Sequence, residues 1–119
     1  MAKRIVKVLN ESKGTILAEK VEIAETWRSR SKGLLGRRGL GKGEGLLITP
    51  CNSIHTFFMK FPIDVLFLDK NMKIVKITPS MGPWRLSGSL RGYQVLEIEH
   101  GASNNMGISV GNSLKLVEL

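Results

Sequence analysis

Hydrophobic and polar residues alternate with a period of two along much of the chain, which is the pattern of β-strands. Two alternating stretches, 5–9 and 15–21, flank a polar segment that ends in Gly14, and they predict a β-hairpin. Five later stretches predict further strands, at 54–61, 63–68, 73–77, 95–98 and 114–117. The chain is therefore dominated by predicted strands.

Helix signals are few. Thr26 is a suitable N-cap, and after it Trp27 and Leu34 share one face at the spacing of an amphipathic helix. A second short helix is predicted at 102–106. Because no linker, repeat or low-complexity segment interrupts the chain, residues 1–119 are predicted to form a single domain. Its class is mainly β (β-rich α+β), a compact antiparallel β-barrel or sandwich-like domain with one or two short helices.

The composition is that of an ordinary globular domain. Of 119 residues, 42% are hydrophobic and 24% are charged, which excludes the low-hydrophobicity class of disordered chains. The single cysteine, Cys51, can form neither an internal disulfide nor a multi-thiolate zinc site. Since no stretch resembles a signal peptide or the ~20 apolar residues of a membrane span, we expect a cytoplasmic protein without a membrane partner. The oligomeric state stays open.

Positive charge is concentrated in one glycine-rich segment. The chain has 18 Lys and Arg against 10 Asp and Glu, a net charge of +8. Residues 26–43 hold six of these cations and no acid, so the segment contributes +6 and the remaining 12 basic and 10 acidic residues contribute +2. Its cations are Arg28, Arg30, Lys32, Arg37, Arg38 and Lys42.

Part of this segment, residues 36–42, matches the GxxxxGK pattern of phosphate-binding P-loops. Gly43, however, stands where such a loop needs Ser or Thr for magnesium, and the segment leads from a predicted helix into a strand instead of the reverse. We therefore exclude nucleotide hydrolysis. The segment is interpreted as an anion-receptive loop in which Arg37, Arg38 and Lys42 contact a phosphate or carboxylate. The alternative is a flexible loop with solvated cations.

Cys51, His55 and Met59 recur every four residues, a spacing that invites a metal site. In an extended strand such residues are about 13 Å apart, too far to share one ion, so we expect no metal and no cofactor. The same distance argues against a Cys–His nucleophilic pair. Cys51 is therefore expected to be a structural thiol and His55 a hydrogen-bonded strand residue. If the protein is an enzyme, the catalytic candidates are His55, Asp64 and Cys51.

Asp64 interrupts an apolar stretch that is hydrophobic on both faces, as in a strand covered on both sides. A buried carboxylate must be paired or hydrogen-bonded, and Arg37 is the preferred partner. Alternatively, Asp64 is a site carboxylate in a pocket with His55 and Met59. Glu97, within another apolar stretch, poses the same question.

Nucleic acid is an obvious partner to consider for a basic protein. A stacking platform needs exposed aromatic residues among the cations. Here most aromatic residues lie in predicted strands or on the apolar face of the first helix, so we expect them in the core. Nucleic acid is not favoured, although the charge supports weak, salt-dependent binding of polyanions. The residues concerned are Trp27, Phe57, Phe58, Phe61 and Phe67.

Several short motifs follow one another in order along the chain: GLLGR at 33–37, GLL at 45–47, HTFFM at 55–59, IDVLFLD at 63–69 and VLE at 95–97. Together they resemble the family called domain of unknown function 192. The resemblance implies a compact β-rich domain with no established activity, cofactor or substrate. The positions that it marks are Gly33, Leu34, Arg37, Gly45, Met59, Asp64, Phe67, Leu96, Glu97 and Gly101.

We predict from these features a small binding or accessory module, and favour this over an enzyme. Its basic glycine loop would receive an anionic ligand or a protein partner. One alternative is a small hydrolase or lyase that uses Asp64, His55 and Arg37. Another is a weak, non-specific nucleic-acid binder. The ligand-binding candidates are Arg37, Arg38, Lys42, His55, Met59 and Asp64.

Overall fold

The computed structural model of the chain describes residues 4–119, in which nine strands and two short helices are found. The strands are β1 (Ile5–Asn10), β2 (Thr15–Ala24), β3 (Glu44–Ile48), β4 (Ser53–His55), β5 (Ile63–Leu68), β6 (Ile74–Met81), β7 (Leu86–Gly88), β8 (Gln94–Glu99) and β9 (Leu114–Glu118). The helices are α1 (Trp27–Lys32) and α2 (Ala102–Asn105). Neither helix is long and apolar enough to cross a membrane.

Seven strands form one sheet in the order β6-β5-β8-β3-β2-β1-β9, and β4 pairs with β7 in a separate two-stranded sheet. The β-rich class with short helices is confirmed. One neighbouring pair, β2 and β3, is parallel, and the other pairs of the large sheet are antiparallel. A parallel pair needs a crossover, which residues 25–43 supply with α1 and the basic glycine-rich segment.

The large sheet is open, so the barrel alternative of the prediction is not supported. Its two edge strands, β6 and β9, approach each other at one end. There Lys73 and Ser113 form an isolated bridge, and the backbone N–H of Ile74 donates to the carbonyl of Asn112 at 2.9 Å. The sheet is therefore curled but does not continue its ladder from edge to edge.

Both faces of the sheet are covered, which places one hydrophobic cluster on each side. Strand β5 is buried along its whole length, as predicted, because alternate residues enter different clusters. Val65 and Phe67 pack on the side covered by Leu34 and Leu40, which we call the α1 face. The next residues along, such as Leu66, pack with Ile108 on the opposite side, the α2 face.

Three local predictions were wrong at the level of individual elements. The strand predicted at 54–61 ends at His55, because the chain turns at Phe58, whose φ is +67°. Helix α1 ends at Lys32, and Trp27 is 79% exposed instead of facing the core. Phe58 is likewise 70% exposed. The second helix, α2, forms where it was predicted.

Candidate functional site

A cavity of about 170 Å³ opens on the α1 face, between α1, the end of β3 and β4. Leu34, Ile48 and Met59 give it apolar walls, and each of these residues is buried in the cluster of that face. Polar and charged side chains from the helix, from β4 and from β8 also reach it. A concave apolar pocket with a few converging polar groups is the usual form of a small-ligand site.

Glu97 is the buried charged residue of this cavity. It lies on β8 opposite Val65 of β5, and alternation along β8 directs its side chain to the α1 face with Val95. Only 4% of the residue is exposed, and its Oε1 has no hydrogen-bond partner among the described residues. Burial raises the pKa of the Glu97 carboxyl from 4.5 to about 7, although the Arg37 guanidinium opposes this shift.

Arg37 does not pair with Asp64, and this expectation was wrong. Its Nη2 donates to Oε2 of Glu22 at 2.8 Å, in a half-buried ion pair. The strand register explains the choice: Glu22, Leu46 and Glu97 lie in one row across β2, β3 and β8, so their side chains share the α1 face. The guanidinium therefore joins one carboxylate of this row directly and influences the other through its charge.

Arg30 reaches the cavity from α1, the short helix that begins at the capping box of Thr26 and Ser29. Its Nη1 donates to the carbonyl oxygen of Pro50 at 3.0 Å, which fixes the guanidinium against the loop after β3. Its Nε is buried and has no partner within residues 4–119. Arg30 and Glu97, which both line the cavity, thus each carry a buried polar atom without a partner in residues 4–119, and Lys32 adds a second cation from the same helix.

Cys51, His55 and Met59 all line the same cavity, although an extended chain would have kept them apart. The Cys51 thiol donates to the carbonyl of Ser53 at 3.0 Å, and burial raises its pKa, so the protonated form is favoured. Nδ1 of His55 accepts from the backbone N–H of Phe57 at 3.2 Å. Within residues 4–119, no three His, Cys, Asp or Glu side chains lie close enough to hold a metal ion.

Asp64 lies on the other side of the sheet, facing α2, and does not join His55 and Met59 in a pocket. Its Oδ1 accepts from the N–H groups of Ser80 at 2.8 Å and Gly101 at 3.1 Å. Its Oδ2 accepts from the N–H and the hydroxyl of Ser103, at 2.9 and 2.5 Å. Burial raises the pKa of Asp64, but these hydrogen bonds outweigh it and hold the pKa below its ordinary value. This carboxylate ties β5, β6 and α2 together.

The remaining candidates of the basic segment do not converge on the cavity. Arg38 is exposed, and Lys42 lines a different groove, against β2 and Met106. The structure therefore separates Arg37, Arg38 and Lys42, which were expected to act together. Of the cations in this segment, Arg30 and Lys32 are the ones that line the cavity.

Sequence reasoning did not single out Arg30, and it left Glu97 undecided. The sequence did contain one signal for Glu97. Its two neighbours, Leu96 and Ile98, are apolar, and it lies in a stretch whose other residues are of the kind usually buried. For Arg30, counting charges placed it in a cationic segment but could not tell it from Arg28, two residues away on the same helix.

The chain is similar to proteins from several archaea and to solved bacterial structures. It is 31% identical to a UPF0127 protein of Pyrococcus horikoshii over 91% of this chain and 96% of the relative, and 32% identical to one of Pyrococcus abyssi over 92% and 97%. A protein of unknown function from Novosphingobium aromaticivorans superposes with a TM-score of 0.81 at 23% identity, covering 95% of this chain and 84% of that one.

A crystal structure from Sinorhizobium meliloti, of a protein proposed to be a transcription regulator, superposes with a TM-score of 0.83 at 25% identity, over 97% of this chain and 94% of that one. These structures share the fold. The sequence model of the family DUF192, described as uncharacterized ACR, matches residues 8–116. The chain therefore belongs to the DUF192 family, whose named relatives are the UPF0127 proteins.

Proposed function

We propose that the protein is a small-molecule binding module whose site is the cavity between α1 and Glu97. The ligand carries an anionic group, which binds at Arg30 and Lys32, and a hydroxyl or amino group, which donates to Glu97. The observation that carries this proposal is made at Glu97, which lines the cavity and whose Oε1 is buried without a hydrogen-bond partner in residues 4–119. Buried polar groups are nearly always satisfied, so one that is not points to a missing partner.

The size of the cavity limits the ligand. The cavity of about 170 Å³ is close in size to the roughly 150 Å³ cavity that holds one benzene-sized molecule. A ligand of this size is a small hydroxy acid, amino acid or short phosphate ester. A large nucleotide would project far out of the cavity.

The charges favour an anion that also donates a hydrogen bond. Arg30 and Lys32 provide two cations that line the cavity, Arg30 is held by the carbonyl of Pro50, and a guanidinium binds carboxylate and phosphate groups with good geometry. With a pKa of about 7, Glu97 is partly ionised at neutral pH, and a donating ligand group would favour its ionised form. The proposal therefore assigns anion binding to the preceding helix, α1, instead of to Arg37, Arg38 and Lys42 in the glycine loop.

Acid–base catalysis by Glu97 is the second candidate function. Its pKa of about 7 suits proton transfer at neutral pH, and His55 lines the same cavity. This replaces the hydrolase or lyase hypothesis with Asp64, His55 and Arg37, because Asp64 faces α2 and its oxygens are occupied by four donors. Turnover of a bound probe that is lost in Glu97→Gln would identify an enzyme.

The test measures binding of three probes, glycerol 3-phosphate, 3-hydroxybutyrate and L-serine, by calorimetric titration and by the shift in melting temperature. We expect at least one probe to bind the wild type, and Glu97→Gln and Arg30→Met to weaken it about ten-fold or more. Matched controls are Glu99→Gln on the same strand and Arg28→Met on the same helix, neither of which lines the cavity. If no probe binds, or if all four variants bind alike, the proposal is wrong.

A further inference from the structure

Four aromatic side chains form a continuous cluster at the two-stranded sheet, and two of them are largely exposed. The ring of His55 stacks on Phe57 with centroids 4.9 Å apart, and Phe57 stacks on Trp84 at 5.7 Å. Phe58 meets Trp84 edge to face at 4.7 Å. Phe58 is 70% and Trp84 60% exposed, where hydrophobic rings of this size are normally buried. We call these four residues the aromatic cluster.

The backbone beneath the cluster is firmly held. Thr56 is fully buried, and its hydroxyl donates to the carbonyl of Gly82 at 2.6 Å and accepts from the N–H of Arg85 at 2.9 Å. The N–H of Trp84 donates to the carbonyl of Thr56 at 3.1 Å. Phe58 and Trp84 both adopt positive φ angles, +67° and +62°, which are costly for aromatic residues. The fold therefore maintains these rings at the surface instead of allowing them to pack inward.

The two chain segments that contain the cluster carry only positively charged residues. Residues 51–63 and 70–96 contain no Asp or Glu. Lys76 lines a groove with His55 and Leu86, next to the cluster. The backbone N–H of Thr56 donates to the carbonyl of Arg85 at 3.0 Å. Exposed rings with Lys76 and Arg85 beside them fit a partner with flat apolar faces and negative charge. The cations of the two segments are Lys60, Lys70, Lys73, Lys76, Arg85 and Arg91.

We propose that the aromatic cluster binds single-stranded nucleic acid, with bases stacked on Trp84 and Phe58 and phosphates near Arg85 and Lys76. Single strands fit better than a duplex, because only unpaired bases expose the faces that stack on protein rings. An aromatic protein interface would not by itself explain the absence of acids from both segments. The reason for disfavouring nucleic acid, that most aromatic residues are in the core, does not hold for Phe58, and Trp84, for which no core position was predicted, is exposed as well.

This surface is separate from the cavity of the proposed function. His55 lines that cavity and also stacks on Phe57, but Trp84, Phe58 and Arg85 do not line it. Variants of Glu97 or Arg30 are therefore expected to leave nucleic-acid binding unchanged, and the two proposals can fail independently.

The test measures binding of fluorescently labelled oligothymidylate and oligoadenylate of about 15 nucleotides by anisotropy at low salt. We expect Trp84→Ala and Phe58→Ala to weaken binding about ten-fold or more, and Trp84→Phe to retain most of it because a stacking ring remains. The matched control is Trp27→Ala, which removes another highly exposed tryptophan outside the cluster and should bind like the wild type. Circular dichroism of each variant confirms folding.

Two further measurements separate stacking from charge. Polyphosphate, which has no bases, should compete much less effectively than oligothymidylate, and a duplex of the same length should bind more weakly than the single strand. Arg85→Gln should lower the slope of the logarithm of the binding constant against the logarithm of the salt concentration by roughly one, which corresponds to one phosphate contact. The proposal is overturned if the wild type does not bind oligonucleotides, if polyphosphate competes equally, or if Trp84→Ala and Trp27→Ala behave alike.

Discussion

Two buried carboxylates of this protein have opposite protonation behaviour, and the difference comes from the number of donors around each. Asp64 accepts four hydrogen bonds, so its pKa lies below the ordinary value of an aspartate in spite of burial. Glu97 has an oxygen with no partner in the described part of the chain, and its pKa is raised to about 7. A carboxylate with full coordination is typical of a structural role, and one without it is typical of a binding or catalytic site.

The difference in free energy of unfolding between Glu97→Gln and the wild type should shift in favour of the variant as the pH rises. Between about pH 4.5 and pH 7, the folded protein holds the Glu97 proton more tightly than the unfolded chain does, so raising the pH reduces the free energy of unfolding of the wild type. The variant lacks this loss, which is on the order of 3 kcal/mol when complete. Urea unfolding across this range checks it, and a difference between the proteins that does not change with pH would contradict it.

Asp64→Asn should destabilise the protein by on the order of 3 kcal/mol at neutral pH, because the amide NH2 would replace one oxygen and face either the N–H groups of Ser80 and Gly101 or the N–H of Ser103. The stabilisation by Asp64 is present above its unfolded pKa and is lost as the pH falls through its lower folded value. Urea unfolding measures the loss. Asp69→Asn is the control, since its Oδ1 accepts from Asn71 and Lys73 in an exposed turn and an Asn oxygen can replace it. Equal losses for both variants would argue against this account.

At the scale of elements, the crossover from β2 to β3 determines where the cavity forms. It carries α1 across the α1 face, so that Arg30 and Lys32 lie over the row that contains Glu97. Strand β3 then enters the middle of the sheet between β2 and β8, where space is limited. A Cβ atom added at Gly45 would lie 3.0 Å from the backbone carbonyl oxygen of Glu97.

Gly45→Ala should therefore destabilise the protein by about 1–3 kcal/mol. The nearest atom belongs to the backbone of β8, which cannot move without disturbing the ladder, and Val21 Cγ2 at 3.3 Å restricts the other side. The control is Gly39→Ala, where an added Cβ would meet nothing within 4 Å and φ is not positive. That variant should unfold at the same urea concentration as the wild type or slightly above it. Similar midpoints for both variants would contradict the prediction.

At the scale of the whole molecule, the first and last strands are neighbours, since β1 pairs with both β2 and β9. The radius of gyration is 12.8 Å, near the roughly 13.5 Å expected for one folded domain of this length. That residues 1–119 form a single domain remains a prediction. We expect one cooperative transition, with the same midpoint by far-ultraviolet circular dichroism and by calorimetry. Two separate transitions would show that the ends of the chain fold independently of the centre.

Sequence reasoning succeeded where the residues of a segment by themselves indicate its burial or secondary structure. Buried β5 and the burial of Asp64 followed from local hydrophobicity, and the helix predicted at 102–106 is found at Ala102–Asn105. It failed for the 54–61 stretch, because the aromatic residues there have high strand propensity and nothing local indicates that the chain turns at Phe58. Trp27 was expected in the core because of its helical spacing from Leu34, but α1 ends at Lys32 and Trp27 is 79% exposed.

The sequence alone determined the β-rich class, the family, the concentration of +6 in residues 26–43 and the presence of a carboxylate at Asp64 that needs partners. Tertiary structure decided which groups meet. Asp64 and Glu97 stand on neighbouring strands, but the two-residue period of a strand sends them to opposite faces, one to the donors of α2 and one to the cavity. Which cation reaches which carboxylate depends on strand order and register, and these arise from contacts between residues far apart in the chain.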